Sequence, residues 1–190
     1  MPSIEHALNS QDKDFLLQLA ARAIRHGVET GKPLAVSLDG LSPALCAIRA
    51  SFVTLNKFGQ LRGCIGSLQA NRPLALDIAA NAYAAAFRDP RFPAVEENEL
   101  ADLDIHLSLL TVPQPMTFAS EEDLLSKISP GVDGLILEDG RHRGTFLPSV
   151  WEQLPEVREF WRHLKHKAGL PLDYWSETLK VQRYRTEVIP

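Results

Sequence analysis

Helical and hairpin patterns alternate along this chain of 190 residues, and their order constrains the fold more than any other feature. The apolar residues of segment 12–28 recur at helical spacing, and the alanine-rich segment 73–87 has high helix propensity. Between them, segments 50–56 and 61–68 have the character of two strands, joined by a turn at Gly59. Helices and hairpins interleave without strand–helix–strand regularity. The chain is therefore predicted to be α+β, with a mostly antiparallel sheet and flanking helices.

The second half of the chain continues this pattern. Segment 103–109 alternates strictly, which predicts a strand with Asp104, His106 and Ser108 on its polar face. An Asp139-Gly140 turn joins the apolar segment 135–141 to a return strand at 142–147. The last predicted strand covers residues 179–188, and shorter helices are predicted at 121–128, after Pro148 and after Pro155.

Charge and cysteine content limit the classes of partner. The net charge of −4 argues against a broad electrostatic grip on nucleic acid or on anionic lipid. No apolar run is long enough to span a bilayer, and residues 1–6 lack the pattern of a secretory signal. Two cysteines without Cys-x-x-Cys spacing fit a reducing compartment. We expect a soluble cytoplasmic protein.

Segment 61–66, Leu-Arg-Gly-Cys-Ile-Gly, holds the best candidate site. Residues two apart on a strand share a face, so Arg62 and Cys64 are expected side by side, where the guanidinium would favour the reactive thiolate. Gly63 and Gly66 lack side chains and would let a ligand or another backbone approach closely. Cys64 is thus a candidate nucleophile, redox group or metal ligand. The alternative is that Cys64 is a small buried apolar residue.

A nucleophilic cysteine needs a base, and His106 and His142 are the histidines predicted on strands. Each has a structural alternative, as a solvent-facing or hydrogen-bonded residue and as an ordinary hairpin residue. His163 and His166 lie three apart on a helix, but the surrounding cations favour a solvated face over a metal site. We therefore predict no metal site, and no pattern in the sequence identifies a cofactor.

The loop at residues 88–93 is the candidate for binding substrate. Arg88 and Arg91 could hold a carboxylate or a phosphate, with Asp89 between them and prolines stiffening the loop. The alternative is a structural corner in which the arginines pair locally. The sequence has no phosphate-binding glycine loop, no Gly-x-Ser-x-Gly elbow and no His-Glu-x-x-His motif, and their absence removes several common enzyme classes.

Taken together, these segments resemble the AmmeMemoRadiSam system protein A (AMMECR-type) family. The matching segments are residues 61–66, 86–93, 105–110, 134–137, 144–151 and 167–170. The resemblance implies one domain over residues 1–190, with a larger and a smaller lobe packed closely around a cleft. It also implies a genetic setting beside a Memo-type protein and a radical SAM protein. The residues that carry over are Arg62, Gly63, Cys64, Gly66, Asp89, Arg91 and Phe92.

The sequence leaves three functions open. The first is an enzyme, or the catalytic subunit of a modification system, acting through Cys64 with Arg62 and with His106 or His142 as proton shuttle. In the family, the His106 position can hold an acidic residue, which argues against an essential role. The second is a non-catalytic module that presents a small molecule or peptide to the Memo-type and radical SAM partners. The third, nucleic-acid binding, is disfavoured by the net charge. Substrate and oligomeric state are not predicted.

Overall fold

The computed structural model describes residues 7–190, so the expectation about a signal in residues 1–6 lies outside the described residues. The helices are α1 (Ser10–Thr30), α2 (Pro43–Cys46), α3 (Leu74–Phe87), α4 (Glu121–Lys127) and α5 (Val157–Lys167). The strands are β1 (Ser51–Lys57), β2 (Gln60–Gly66), β3 (Leu103–Leu110), β4 (Gln114–Pro115), β5 (Gly134–Asp139), β6 (His142–Phe146), β7 (Lys180–Tyr184) and β8 (Thr186–Ile189). Short 3₁₀ helices cover Glu97–Asp102 and Pro148–Glu152. None of the helices in residues 7–190 combines the length and the hydropathy of a membrane-spanning segment.

The described chain divides into two compact units, residues 7–110 with Glu187–Pro190 and residues Thr111–Thr186. Each unit is built around one four-stranded sheet, with strand orders β2-β1-β3-β8 and β4-β7-β5-β6. The β1–β2, β1–β3, β4–β7, β5–β6 and β5–β7 pairs are antiparallel. The predicted α+β class is confirmed, with the strands in two sheets. The cleft that the resemblance implies stays a prediction.

In the first unit, α1 and α3 pack against one face of the sheet. Val53 and Leu55 of β1 are fully buried and alternate with partly exposed residues. They join Leu107 of β3, Leu19 of α1 and Ile78 of α3 in one hydrophobic cluster. Burying a side chain of this kind stabilises a fold by about 1.5–3 kcal/mol. The core covers one face of the sheet. The residues that alternate with the buried ones lie on the opposite face, which is the polar surface that carries the candidate site.

The second unit has its own core, around α5. Leu135 and Leu137 of β5 pack in one cluster with Phe160 of α5 and with Trp151. The rings of Trp151 and Phe160 are stacked, with centroids 3.7 Å apart. The predicted hairpin at residues 139–140 is confirmed, since Gly140 has a φ of 57° in the turn between β5 and β6.

The prediction of one final strand is wrong. Segment 179–188 forms two strands, β7 in the second sheet and β8 in the first. Arg185 separates them: its N–H donates to Thr111 Oγ1 and its carbonyl accepts from the Thr111 N–H, both at 2.8 Å. Because these backbone groups are paired with Thr111 instead of a strand, the ladder is interrupted there.

Candidate functional site

Cys64, Thr54 and His106 form a row across three neighbouring strands of the first sheet. Thr54 of β1 pairs with Cys64 of β2 on one side and with His106 of β3 on the other. Residues that pair directly project from the same face of a sheet. All three side chains are partly exposed, and their face is opposite to that of the buried Val53 and Leu55. The register therefore places Cys64 and His106 on one face, two strands apart.

Thr54 is the middle member of this row. Its Oγ1 lies 3.2 Å from Cys64 Sγ, a hydrogen bond in which either atom can donate. On the other side, His106 Nε2 lies 2.8 Å from Asp104 Oδ2, two residues back on the same strand. Adjacent strands are about 4.8 Å apart, so the Cys64 and His106 backbones are separated by about 10 Å. A proton moving between them would need Thr54, or a solvent molecule, as carrier.

The backbone of Cys64 is held by the loop that follows α3. The Cys64 N–H donates to Asp89 Oδ2 at 2.9 Å, and Arg91 Nη2 reaches the Cys64 carbonyl at 3.5 Å. Arg91 also closes on Asp89, with Nε to Oδ1 at 3.0 Å and Nη2 to Oδ2 at 2.7 Å. The arginine predicted to bind an anion is thus paired within its own loop, and this pair, called here the Asp89–Arg91 clamp, contacts Cys64.

Both members of the Asp89–Arg91 clamp are charged. The hydrogen bond from Arg91 holds the pKa of Asp89 well below its ordinary value, against the opposing effect of burial, and the Cys64 N–H acts in the same direction as Arg91. The same hydrogen bond raises the pKa of Arg91, and the Cys64 side chain adds to that. The Asp89 side chain is 2% exposed, whereas that of Arg91 is 54% exposed. Arg91 therefore places an accessible positive charge next to Cys64.

Arg62 does not lie beside the thiol as the strand pattern predicts. Leu55 pairs with Gly63, whereas Asn56 pairs with Leu61, so Arg62 occupies a β-bulge. A bulge adds one residue to a strand and breaks the alternation of side chains between faces. The parity argument that placed Arg62 with the thiol fails for this reason.

The Arg62 guanidinium makes four other contacts. It donates to Glu99 Oε1 and Oε2 at 3.0 and 2.9 Å, and to the carbonyls of Pro93 and Ala94 at 3.0 and 3.3 Å. Hydrogen bonds from Arg62 lower the pKa of Glu99 to about 2, while burial opposes them. Arg62 therefore joins β2 to the segment after α3, and Arg91 is the arginine that contacts the cysteine.

The two glycines beside Cys64 fit closely against other parts of the chain. A Cβ on Gly63 would overlap the carbonyl oxygen of Ala85 in α3. A Cβ on Gly66 would overlap the ring of Phe52 and the carbonyl oxygen of Ser51. The close approach expected at these glycines is thus made by α3 and β1, and their role in binding a substrate stays a prediction.

Arg88 and His142 make different local contacts. The Arg88 guanidinium lies over the ring of Tyr83 in α3, 5.3 Å from its centroid. His142 begins β6 in the second unit, and its Nδ1 lies 3.1 Å from the carbonyl oxygen of Ala168. That hydrogen bond joins β6 to the end of α5. The proposed roles of both residues in substrate binding and proton transfer stay predictions.

Three residues of the site region were not singled out by the sequence as functional. Thr54 and Asp104 lie on predicted strands, and their alternation would have placed them on the polar face. Which residue pairs with Thr54 depends on strand register, which the pattern alone does not give. Glu99, 37 residues from Arg62, has no local signal at all.

The histidines His163 and His166 lie three residues apart on α5. Among residues 7–190, no group of three or more His, Cys, Asp or Glu side chains is placed to hold a metal ion. His163 is half exposed, and its Nε2 lies 3.8 Å from Glu159 Oε2.

Matches to known proteins extend over almost the whole chain. The family model AMMECR1 matches residues 17–189. A protein of Methanothermobacter thermautotrophicus is 39% identical over 183 residues, which cover 95% of both chains. A protein of Thermotoga maritima is 39% identical over 171 residues, covering 88% of this chain and 92% of the relative.

A solved structure is also similar to this chain over almost its whole length. The crystal structure of an uncharacterized protein from Pyrococcus horikoshii has a TM-score of 0.81 and 36% sequence identity to this chain. The alignment covers 95% of this chain and 92% of that one. The match of sequence extends through both units, from α1 to β8. The chain belongs to the AMMECR1 family.

Proposed function

We propose that this protein is an enzyme, or the catalytic subunit of a modification system, that uses the Cys64 thiol on the polar face of the first sheet. The observation that carries the proposal is the 3.2 Å hydrogen bond between Cys64 Sγ and Thr54 Oγ1, in a row that continues to His106. A cysteine nucleophile must lose its proton to a nearby acceptor. A hydroxyl that can both accept and donate provides that route.

In this reaction Cys64 Sγ attacks an electrophilic carbon of the substrate, such as an acyl carbon. As the C–S bond forms, the thiol proton passes to Thr54 Oγ1, and the Thr54 hydroxyl proton passes through one solvent molecule to His106. Asp104, bonded to His106 Nε2 at 2.8 Å, balances the charge of the imidazolium. The leaving group takes the proton back from His106 as its bond to the acyl carbon breaks.

Arg91 has two roles in the proposal. Its positive charge, held at the Cys64 carbonyl, stabilises the negative charge that develops on the substrate oxygen as Sγ attacks. Its side chain is 54% exposed, so its guanidinium can also bind a carboxylate or a phosphate of a small molecule or peptide. Arg88, in the same loop, is the second candidate for that contact.

The proposal includes two partners and a cellular location. We expect the protein to work with a Memo-type protein and a radical SAM protein, the setting that the family resemblance implies. Cys46 and Cys64 are both free thiols, which supports a reducing location such as the cytoplasm.

The two cysteines give a matched test of the thiol. Cys46→Ser leaves Cys64 as the one thiol, and Cys64→Ser leaves Cys46, which is also partly exposed. We expect iodoacetamide to alkylate Cys64 at least about 10-fold faster than Cys46 at pH 7, because Thr54 and His106 take up the thiol proton as Sγ attacks. Thr54→Val and His106→Asn should slow the alkylation of Cys64 and leave that of Cys46 unchanged. If Cys64 reacts no faster than free cysteine, the proposal is wrong.

A second candidate is a non-catalytic module that presents a small molecule or peptide to the same partners. The observation that favours it is the use of Arg62 and Asp89 in internal contacts, which makes a fixed surface around Cys64. Co-purification with the Memo-type and radical SAM proteins separates the two functions. Cys64→Ser should keep the partners but abolish the modified product if Cys64 is catalytic, and should leave both unchanged if it is not.

A further inference from the structure

The second unit contains a pocket of about 230 Å³ that no part of the proposed thiol chemistry uses. Side chains of α4 and α5 line it, together with Leu172 and Asp173. Ligand pockets typically measure about 300–1,000 Å³, so this one has room for a small molecule or for one end of a longer chain.

A buried lysine lies in the wall of this pocket. The Lys165 side chain is 2% exposed, and its Nζ donates to Glu121 Oε1 at 2.7 Å and to the carbonyl of Tyr174 at 3.0 Å. An ammonium group carries three N–H bonds. Among the described residues two hydrogen-bond acceptors reach Lys165, and its Nζ also lies over the Trp161 ring, 5.6 Å from the centroid. The third N–H of this nearly fully buried cation has no hydrogen-bond acceptor among those residues and is available to a ligand.

Two arginines of α5 lie along the same wall, and each is paired with one glutamate. Arg158 donates to Glu122 through Nη2 alone, at 2.9 and 2.8 Å, and Arg162 donates to Glu159 through Nη1 at 2.8 Å. The remaining nitrogens of both guanidinium groups have no hydrogen-bond partner among residues 7–190. Guanidinium forks match the geometry of a carboxylate.

The other lining residues define the rest of the ligand. Leu125, Leu172 and Trp161 supply apolar surface. Glu121 also lines the pocket, but its Oε1 is shared by Lys165 Nζ and by Trp161 Nε1 at 2.6 Å. Asp173 is an exposed lining carboxylate that would repel an anion. We propose that this pocket binds a carboxylate carried on a short apolar stem, with Lys165, Arg158 and Arg162 holding the charge.

Two sources of such a group exist, a free small acid and the C-terminus of a peptide. The test uses 4-methylpentanoate for the first and N-acetylglycylleucine for the second, with 4-methylpentanamide as the neutral control. The indole N–H of Trp161 is the reporter, since it lies at the pocket on Glu121 Oε1. The indole N–H of Trp151, bonded to the Asp133 carbonyl at 2.8 Å, is the internal reference in the same ¹H–¹⁵N spectrum.

We expect at least one of the two acids to shift the Trp161 resonance saturably, without moving that of Trp151, and to bind at least 10-fold more tightly than the amide. Response to the free acid alone assigns a metabolite site, and response to the peptide alone assigns a C-terminus site. Equal affinity for the amide, or no saturable shift with either acid, would overturn the proposal.

Variants that remove a positive or a negative charge from the lining test the same pocket through their affinity for the acid. Arg158→Gln and Arg162→Gln should each weaken acid binding several-fold, and Asp173→Asn should tighten it. Arg143→Gln, an exposed arginine paired with Glu138 and not part of the lining, should change nothing.

Lys165→Met should abolish binding of the acid. If that variant does not fold, the two arginine variants decide, and unchanged affinity in both would contradict the proposal. Cys64 plays no part in this test, so its outcome is independent of the proposed thiol function.

Discussion

At the scale of single residues, Asp89 determines how the cysteine is held. Its carboxylate accepts from the Cys64 N–H, the Arg91 N–H and the Arg91 guanidinium, in a side chain that is 2% exposed. A buried carboxylate stays charged only where it is paired in this way. Removing the charge leaves donors unsatisfied on both the strand and the loop.

Asp89→Asn should therefore lower the free energy of unfolding by about 2 kcal/mol at pH 7, the cost of losing hydrogen bonds to a charged group. Because the folded protein lowers the pKa of Asp89, this contribution is present above the ordinary value of 3.8 and is lost as the pH falls below it. Urea unfolding at pH 7, 5 and 3 measures the difference between wild type and variant, which should shrink at pH 3. Asp102→Asn, at an exposed carboxylate, is the control. A difference that does not change with pH would contradict the assignment.

The residues of the site differ in how far the sequence could place them. The alternation of segment 103–109 was enough to put His106 on the polar face of its strand. The same rule fails for Arg62, which lies in a β-bulge and contacts Glu99, 37 residues along the chain. A period-two argument holds only where the strand has no extra residue.

At the scale of elements, β2 and α3 approach each other closely because Gly63 has no side chain. Gly63 faces the helix backbone at Ala85, so the strand that carries Cys64 and the helix that precedes the Asp89–Arg91 clamp are packed directly together. This contact fixes the strand relative to the loop that holds it.

Gly63→Ala should lower the free energy of unfolding by about 3 kcal/mol, since the new methyl group meets backbone that cannot rotate away. The same substitution at Gly59, in the turn of the same hairpin, has open space around the Cβ and a φ of 77°. Gly59→Ala should cost about 1 kcal/mol, from backbone conformation alone. Thermal and urea unfolding compare the two variants. Equal costs would mean that β2 and α3 move apart to admit the methyl group.

Elements with local signals were predicted better than those without. The two hairpins have their turn residues in the sequence, Gly59 and the Asp139-Gly140 pair, and both formed as expected. Segment 179–188 also alternates, but it is divided between two sheets by the backbone contacts of Arg185 with Thr111. No pattern within the segment itself marks that division.

At the scale of the whole molecule, the chain builds two separate sets of core residues. The second is centred on Phe160, which is fully buried against Trp151 and Phe146. Its sheet also depends on pairing between segments far apart in sequence, such as β5 with β7. The overall class could be predicted because it follows from the order of local elements, whereas the assignment of strands to two sheets depends on such distant pairs.

Phe160→Ala should cost about 4 kcal/mol, the usual cost of removing a buried aromatic ring. Hydrogen exchange should show the loss as reduced protection of the amides of α5, β5 and β6. Phe58→Ala removes the same ring where it is 79% exposed, and it should change stability by no more than about 0.5 kcal/mol. Unchanged protection in Phe160→Ala would mean that the stacked rings do not support the second core.

The Asp89–Arg91 clamp has a consequence for the solubility of the protein. Strand β2 lies at the edge of its sheet, where an exposed row of N–H and C=O groups can recruit a strand from another molecule. The Asp89 carboxylate accepts a hydrogen bond from the Cys64 N–H, and the Arg91 guanidinium approaches the Cys64 carbonyl, so both backbone groups have the kind of partner that a neighbouring strand would supply. These two side chains therefore block pairing of β2 with a strand from a second molecule at Cys64, and they leave the thiol exposed on the polar face. Loss of the clamp would favour aggregation through β2.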